Sequence, residues 1–529
     1  MDEIGSHEIN SFEVVSNRLF VSRLYNVGFF NELFEEDGGY YEYQDHQGMQ
    51  PSQTTFYNEF YWVADQNFGL ALMYPWGGSK FITPNGPNTI NTNNIDIVNG
   101  VLWSCSGLLD PDYQYAYNTP EFNMYSGLLW SGFDQSDQPI LTDNFGFVKI
   151  AINPFNTSEV YSGSWDKGLL EMHDGIVTTI YNDTNKTTFN HTLSPVQGTN
   201  QIRIGGLAFD EDQNLWITNS QVSNALSVKK ADGTWYNNFN LGGNVGDFTI
   251  VGELLIDRNG YKWILLNRKK EILVFNDNGT IDNPGDDEYT ILNGQEGSGN
   301  IPGDRINCIA EDLNGAIWIG TNEGPAVIYS AASVFDSRQD AQRIYVQQDG
   351  QTQILLETEN IKSIAVDGAN RKWFGSTNSG VYLMSEDGAT EISHFTKINS
   401  PLFSDDIKDI EINSINGEVF FCTDYGLISY KGTATQGDDR FSNVQVYPNP
   451  VPENYSGLVA IKGLAQNSIV KITDVNGLLV YQTQAKGGQA IWNGYSTSGK
   501  KARNGVYLVF STDPKGEEHN VTKFLYLGN

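Results

Sequence analysis

Only three cysteines occur in 529 residues, Cys105, Cys308 and Cys422. Their odd number and wide spacing leave no disulfide framework and no Cys-based metal cluster. Cations are scarce as well. Lys and Arg number 32 against 64 Asp and Glu, a net charge of −32, so the footprint a nucleic-acid binder needs is missing. No run of about 18 apolar residues occurs, so no helical membrane span is expected. The opening MDEIGSHEIN has neither a cationic n-region nor an apolar h-region and is not a signal peptide.

Catalytic signatures are absent too. The six histidines, His7, His46, His173, His191, His394 and His519, stand far apart in loop-like contexts. Without HExxH or an i,i+4 pair, no metal site follows. There is no GxSxG and no supported Cys/His pairing. The acidic stretches GDDEYTILNGQEG and PLFSDDIKD read as solvated loops. Calcium could sit in such loops, although no DxDxDG array supports it. The pairs Lys269-Lys270 and Lys500-Lys501 are too small to form an anion patch. No catalytic residue, metal ligand or cofactor is assigned.

What the chain has is glycine and aromatics, with 54 Gly and 12% Phe, Trp and Tyr. That composition suits an all-β protein with many tight turns. The length calls for two or more domains. Charge divides them: Phe441–Asn529 holds 8 Lys and Arg against 5 Asp and Glu, leaving 24 against 59 for the remainder. An acidic body carries a slightly basic tail.

One phrase recurs through the body, as in AEDLNGAIWIGTNEG at Ala310–Gly324. Aligned on its aromatic residue it reappears at Phe20, Trp62, Trp103, Tyr161, Trp216, Trp263, Trp318, Trp373 and Phe420. Each copy reads as an apolar strand, a DxNG-type turn, a second strand bearing the aromatic, a glycine turn and a third strand. Several short strands repeating with a period of about 40–50 residues mark a β-propeller, whose blades bury their faces only by stacking. A solenoid or an aromatic-rich sandwich is the competing architecture. Cys105 and Cys422 fall where Gly320 falls in its copy, a position for small side chains, and read as buried thiols.

Nine copies exceed one ring. Trp103 to Phe420 make seven, so residues 93–433 are expected to form a seven-bladed propeller and residues 1–92 the last blades of a preceding one. On this count the chain starts inside a larger exported protein, with the signal peptide upstream of Met1. An eight-bladed ring that includes Trp62 is the alternative.

Residues 434–443 read as a linker. Residues 444–529 carry six or seven short strands, with a hairpin about Asp474-Val-Asn-Gly477, and read as an Ig-like sandwich. The ordered set Pro448-Asn449-Pro450, Val470, Ile472, Asp474, Gly477, Trp492-Asn493-Gly494, Gly499, Asn504-Gly505-Val506-Tyr507 and Lys523 resembles the C-terminal sorting domain of the Bacteroidetes type IX secretion system. DLNGAIWIGTNEG is similar to the two-component-regulator propeller repeat. In this order the modules resemble the PorZ family of surface components of that system.

The resemblance implies an all-β protein without enzymatic activity, exported through the periplasm to the cell surface and associated with the outer membrane. It implies partners resembling the PorU sortase and the outer-membrane proteins PorV and PorQ, and an anionic lipopolysaccharide or other surface glycan as ligand. The sorting-motif residues it marks are Pro448, Asn449, Pro450, Asp474, Gly477, Gly505, Tyr507 and Lys523. From the residues themselves, the aromatic segment Leu108–Asp134 offers Tyr113, Tyr115, Tyr117 and Trp130 as ligand-binding candidates. The reading favoured over binding is that the same segment covers the ring as a local satellite core. An exported polysaccharide-active enzyme or adhesin bearing the same tail is the other functional class.

Overall fold

The computed structural model describes residues 8–44, 48–82, 85–337, 339–348 and 350–528. His7 and His46 lie outside them. Two compact units are present, Met1–Gly86 and Pro87–Asn529, so the division falls slightly before the expected residue 92.

The smaller unit is two antiparallel four-stranded meanders, Ile9–Val15 to Glu36–Tyr40 and Pro51–Tyr57 to Ser79–Ile82. Phe20, Phe29, Tyr61 and Val63 fill its core, with the Phe29 and Tyr61 rings stacked at 4.7 Å. Trp62 is not the core aromatic expected of it. Strand side chains alternate between faces, and here Tyr61 and Val63 point inward while Trp62 is half-buried and donates to the Tyr57 carbonyl.

The larger unit contains seven consecutive antiparallel meanders of three or four strands. Their first strands are Asn94–Val98, Phe147–Ile152, Arg203–Phe209, Leu254–Ile256, Ile306–Glu311, Ile361–Val366 and Ile407–Asn413. The expected aromatics Trp103, Tyr161, Trp216, Trp263, Trp318, Trp373 and Phe420 all lie buried on second strands. The first sheet packs on the seventh, through Ile95 and Leu102 against Phe420 and Cys422.

In four sheets one carboxylate builds the turn and holds the tryptophan. Asp312 Oδ1 accepts the N–H groups of Asn314 and Ala316 at 2.8 and 3.0 Å, and Oδ2 accepts the Trp318 indole N–H at 3.0 Å. Asp210, Asp257 and Asp367 repeat this with Trp216, Trp263 and Trp373 at 2.7, 3.0 and 3.2 Å. Aspartate suits this place because its short carboxylate caps its own turn and keeps an oxygen free. The fourth turn residue is left-handed in every copy: Gln213, Gly260, Gly315 and Asn370 have φ of 67, 80, 84 and 57°. The turn therefore asks for a backbone conformation that Gly and Asn reach most easily rather than for glycine alone.

Two residues beyond the aromatic, sheets meet closely. A Cβ on Gly375 would lie 2.7 Å from Ile407 Cγ2 of the next sheet, and one on Gly163 2.6 Å from Ile204 Cγ2. Cys105 and Cys422 take this place in their sheets; with Cys308 they are buried free thiols.

The C-terminal residues form a three-stranded sheet, Gln445–Tyr447, Val459–Lys462 and Gln489–Trp492, facing a four-stranded one, Leu479–Gln484, Ile469–Asp474, Gly505–Thr512 and His519–Tyr526. Trp492, Val470, Ile472, Val509 and Phe524 pack between them. The expected linker 434–443 is not a free tether. Ala434 and Thr435 are buried. The Thr435 carbonyl accepts Gly488 N–H at 3.0 Å, the Asp438 carbonyl accepts Gln466 N–H at 2.9 Å, and Gln436 N–H reaches the Ser414 carbonyl at 3.0 Å. Just before it, Thr433 receives Arg371 of the sixth sheet at 3.1 Å. Its small polar residues serve close backbone approach: a Cβ on Gly368 would sit 2.0 Å from the Thr435 carbonyl oxygen.

Candidate functional site

The first strands of all seven sheets, with Glu253 beside the fourth, line a cavity of about 640 Å³. Two sequence features give it polar walls. Polar residues recur on otherwise apolar first strands, as in FVKIAI, IKSIAV and IKDIEIN. In the second, third, fifth, sixth and seventh sheets the first strand also carries a β-bulge near its start, at Val148, Gly205, Asn307, Lys362 and Lys408. A bulge re-aims the side chains next to it.

Asp409 is the hub. Its Oδ2 accepts Asn94 Nδ2 at 2.6 Å and Ile95 N–H at 3.1 Å, and its Oδ1 accepts Ser363 Oγ at 3.1 Å. Asn94 Oδ1 in turn accepts Ile150 N–H at 2.9 Å. This chain of bonds runs from the sixth sheet through the seventh and first to the second. Asp96 accepts Ile152 N–H at 2.6 Å, and Lys149 faces Glu253 at 3.7 Å.

Enclosure by protein dominates the electrostatics. Burial pushes Asp96 up to about 6, against the pull of the Ile152 and Ile97 N–H groups and with a further push from Asp409. Burial, then Asp409 and Asp96, raise Glu411 well above the carboxylate range. Glu253 is raised because burial outweighs Lys149. Burial alone would lower Lys149, but Glu253 and Asp409 overcome it and raise it. Burial lowers Lys362, with Arg305 adding to the effect. The raised carboxylates favour their protonated forms in this cavity. Reading local motifs missed it because its residues come from seven separate strands. Asp409, expected in a solvated loop, is its centre.

The segment after the first sheet's second strand covers one mouth. Gly107 N–H bonds the Phe147 carbonyl at 2.9 Å, Trp165 Nε1 donates to the Tyr113 carbonyl at 2.9 Å, and Arg268 of the fourth sheet reaches the Asp112 carbonyl at 3.1 Å. Tyr113 and Tyr115 pack with Leu109 on Val148, Trp165 and Ile250. Tyr117 is 77% exposed and lies 4.7 Å from the Tyr115 ring. Trp130 is elsewhere, on the strand Leu129–Asp134, where it meets Tyr125 at 5.0 Å beside the seam of first and seventh sheets. The four candidate aromatics thus do not form one surface.

The motif residues of the tail converge on its architecture. Asn449 Oδ1 accepts Leu525 N–H at 3.1 Å and Asn449 Nδ2 reaches the Lys523 carbonyl at 3.4 Å, which ties Pro448-Asn449-Pro450 to the last strand. Asp474 Oδ1 accepts the N–H groups of Asn476 and Leu478, each at 2.9 Å, in the turn that Gly477 closes with φ of 82°. Tyr507, paired with Asp474 across the sheet, is buried and donates to the Arg503 carbonyl at 2.7 Å. Gly505 opens the same strand, and Lys523 lies opposite Leu508.

Three of the described histidines are on strands rather than in loops: His173, His394 and His519. His191 is buried against the Asn182 carbonyl. No described helix is long and apolar enough to cross a membrane.

Residues 300–323 match the two-component regulator propeller family. No curated protein matches the chain. Among solved structures it is similar to PorZ, an essential surface component of the type IX secretion system of Porphyromonas gingivalis, at 25% identity and a TM-score of 0.66, over 98% of this chain and 70% of that one. It also aligns with the extracellular domain of a hybrid two-component system from B. thetaiotaomicron, at 14% identity and a TM-score of 0.35, over 98% and 84% of the two chains. A third match is virginiamycin B lyase from Staphylococcus aureus, at 12% identity and a TM-score of 0.45, over 65% and 96%.

Proposed function

We propose that the chain is a non-enzymatic cell-surface component of a type IX secretion machinery. In this reading its seven sheets are a seven-bladed propeller, the smaller unit holds blades of another, and residues 444–529 are an Ig-like sorting domain. The observation that carries the reading is the likeness to PorZ along 98% of the chain. The repeat match at residues 300–323 and the tail motif support it. Its partners are a PorU-like sortase and PorV-like and PorQ-like outer-membrane proteins, and its ligand is an anionic lipopolysaccharide. The net charge of −32 puts recognition of such a glycan on local cationic or aromatic groups rather than on overall attraction.

The test is capture of the internally tagged protein from detergent-solubilised outer membranes. Co-recovery of a sortase-type protease and a β-barrel partner, with the tail still attached, is expected. Recovery of soluble protein without its tail would instead make it an exported cargo.

A further inference from the structure

The second sheet brings together three metal-ligating side chains that lie apart in sequence. Glu159 is on the strand Glu159–Ser164, and Glu171 and His173 are on Leu169–His173. Glu159 pairs directly with His173, and Tyr161 with Glu171, so all four side chains share one face. His173 Nε2 lies 2.9 Å from Glu171 Oε1 and 3.9 Å from Glu159 Oε1. The three ligand atoms fall within 4.8 Å of one another. Ligands of a four-coordinate zinc ion, bonded at about 2.0–2.2 Å, stand about 3.3–3.5 Å apart, so the two distances to His173 bracket the required spacing.

The surroundings hold the carboxylates in place. Asn153 Nδ2 donates to Glu159 Oε2 at 2.6 Å, and the Tyr181 hydroxyl donates to Glu171 Oε2 at 2.5 Å. These bonds occupy the outer oxygens and turn both Oε1 atoms toward His173, as outer-shell partners do around metal ligands. The Tyr161 hydroxyl also reaches Glu159 Oε1 at 3.0 Å. One cation is near: Lys229 Nζ is 3.9 Å from Glu171 Oε2 and 2.9 Å from the Tyr161 hydroxyl. Two carboxylates against one ammonium leave a unit of negative charge beside the imidazole. The His173 side chain is 40% exposed and gives a route in from solvent.

We infer that Glu159, Glu171 and His173 form a binding site for a divalent ion of the zinc class, with the fourth coordination position open to water. Imidazole with carboxylate ligands suits zinc and cobalt better than calcium or magnesium.

The experiment is calorimetric titration of chelator-treated full-length chain with zinc chloride, repeated on His173→Gln and Glu159→Gln. One wild-type site is expected, weakened more than about 100-fold in each variant, since loss of an outer-shell partner alone costs about 10–100-fold. Cobalt chloride should give the visible absorption of a four-coordinate ion in the wild type and not in His173→Gln. Far-UV circular dichroism checks that both variants fold. Zinc binding of equal strength in wild type and His173→Gln would assign it to other residues and overturn the site. Absence of binding to a folded wild type would overturn it as well.

Discussion

Carboxylates occupy two kinds of place in the larger unit, and the protein treats them in opposite ways. At the turns of the third to sixth sheets, Asp210, Asp257, Asp312 and Asp367 each accept two backbone N–H groups and an indole N–H. Burial pushes Asp312 up, but Trp318, Lys372 and the Ala316 N–H together hold it below the usual carboxylate range. In the cavity, burial and then the charge of Asp409 push Asp96 up, and burial with the charges of Asp409 and Asp96 pushes Glu411 up. Burial pushes Asp312, Asp96 and Glu411 alike upward, and only at Asp312 do the surrounding donors and the Lys372 ammonium reverse it. The first, second and seventh sheets lack the turn aspartate and solve the turn differently. The first uses a two-residue Asn99-Gly100 hairpin with φ of 50 and 81°, and its Trp103 indole N–H has no partner. The second puts Tyr161 in the aromatic place, bonded to Glu159. The seventh uses Phe420, which has no polar atom to satisfy.

The contrast can be broken most strongly at Asp312. Lys372 is fully buried, pairs with Asp312 at 2.9 Å and lies 4.9 Å from the Trp318 ring. Its burial outweighs that pairing and lowers its pKa. Asp312→Ala would take away the paired carboxylate and leave the buried ammonium only the Asn370 and Glu386 carbonyls, at 2.7 and 2.6 Å, and should cost about 3–5 kcal/mol. Asp210→Ala strands only uncharged donors and should cost about 1–3 kcal/mol. Equal losses in chemical denaturation would refute the role given to Lys372.

Asp96 of the cavity and Asp312 of the turns respond to pH in opposite senses. Asp96 rises from 3.8 to about 6 on folding. The folded chain therefore binds more protons between these values, and Asp96 lowers stability as pH rises through that window. Asp96→Asn should be more stable than wild type at pH 8 by on the order of 2 kcal/mol, with the gain shrinking toward pH 4. A gain that grows as pH falls would contradict the sign. For Asp312 the sign reverses: its stabilisation is present above about pH 4 and is lost as pH falls through its depressed folded value.

Packing between sheets gives a smaller effect. Gly375→Ala would push a methyl group against Ile407 and should cost about 1–3 kcal/mol. An unchanged midpoint would mean that the sixth and seventh sheets separate easily. The smallest difference concerns the indoles. Trp318→Phe removes a made hydrogen bond, whereas Trp103→Phe removes an N–H without a partner. The first should cost about 1 kcal/mol more than the second, measured as the difference in unfolding free energy.

Much of the architecture was legible. The recurring aromatic locates the second strand of all seven sheets, because a repeated phrase reports a repeated environment. Trp62 misled because an aromatic marks a strand but not which pleat faces inward. The string 434–443 looked like a tether because close backbone approach and flexibility both select small polar residues. The candidate sites were less visible. Tyr113, Tyr115, Tyr117 and Trp130 are near in sequence, but a chain reversal sends Trp130 to another surface.

By itself the sequence determined what neighbours along one strand or one turn can settle: the all-β character, the repeat, the turn aspartates and the tail motif. Tertiary structure alone decided what meets across strands. It gathered Asp96, Glu253, Asp409 and Glu411 around one cavity, laid the Leu108–Tyr117 segment over its mouth, and set Glu159 opposite His173. The reason is physical. A local pattern records which face of an element is buried, whereas a site depends on the register and closure that bring distant elements together.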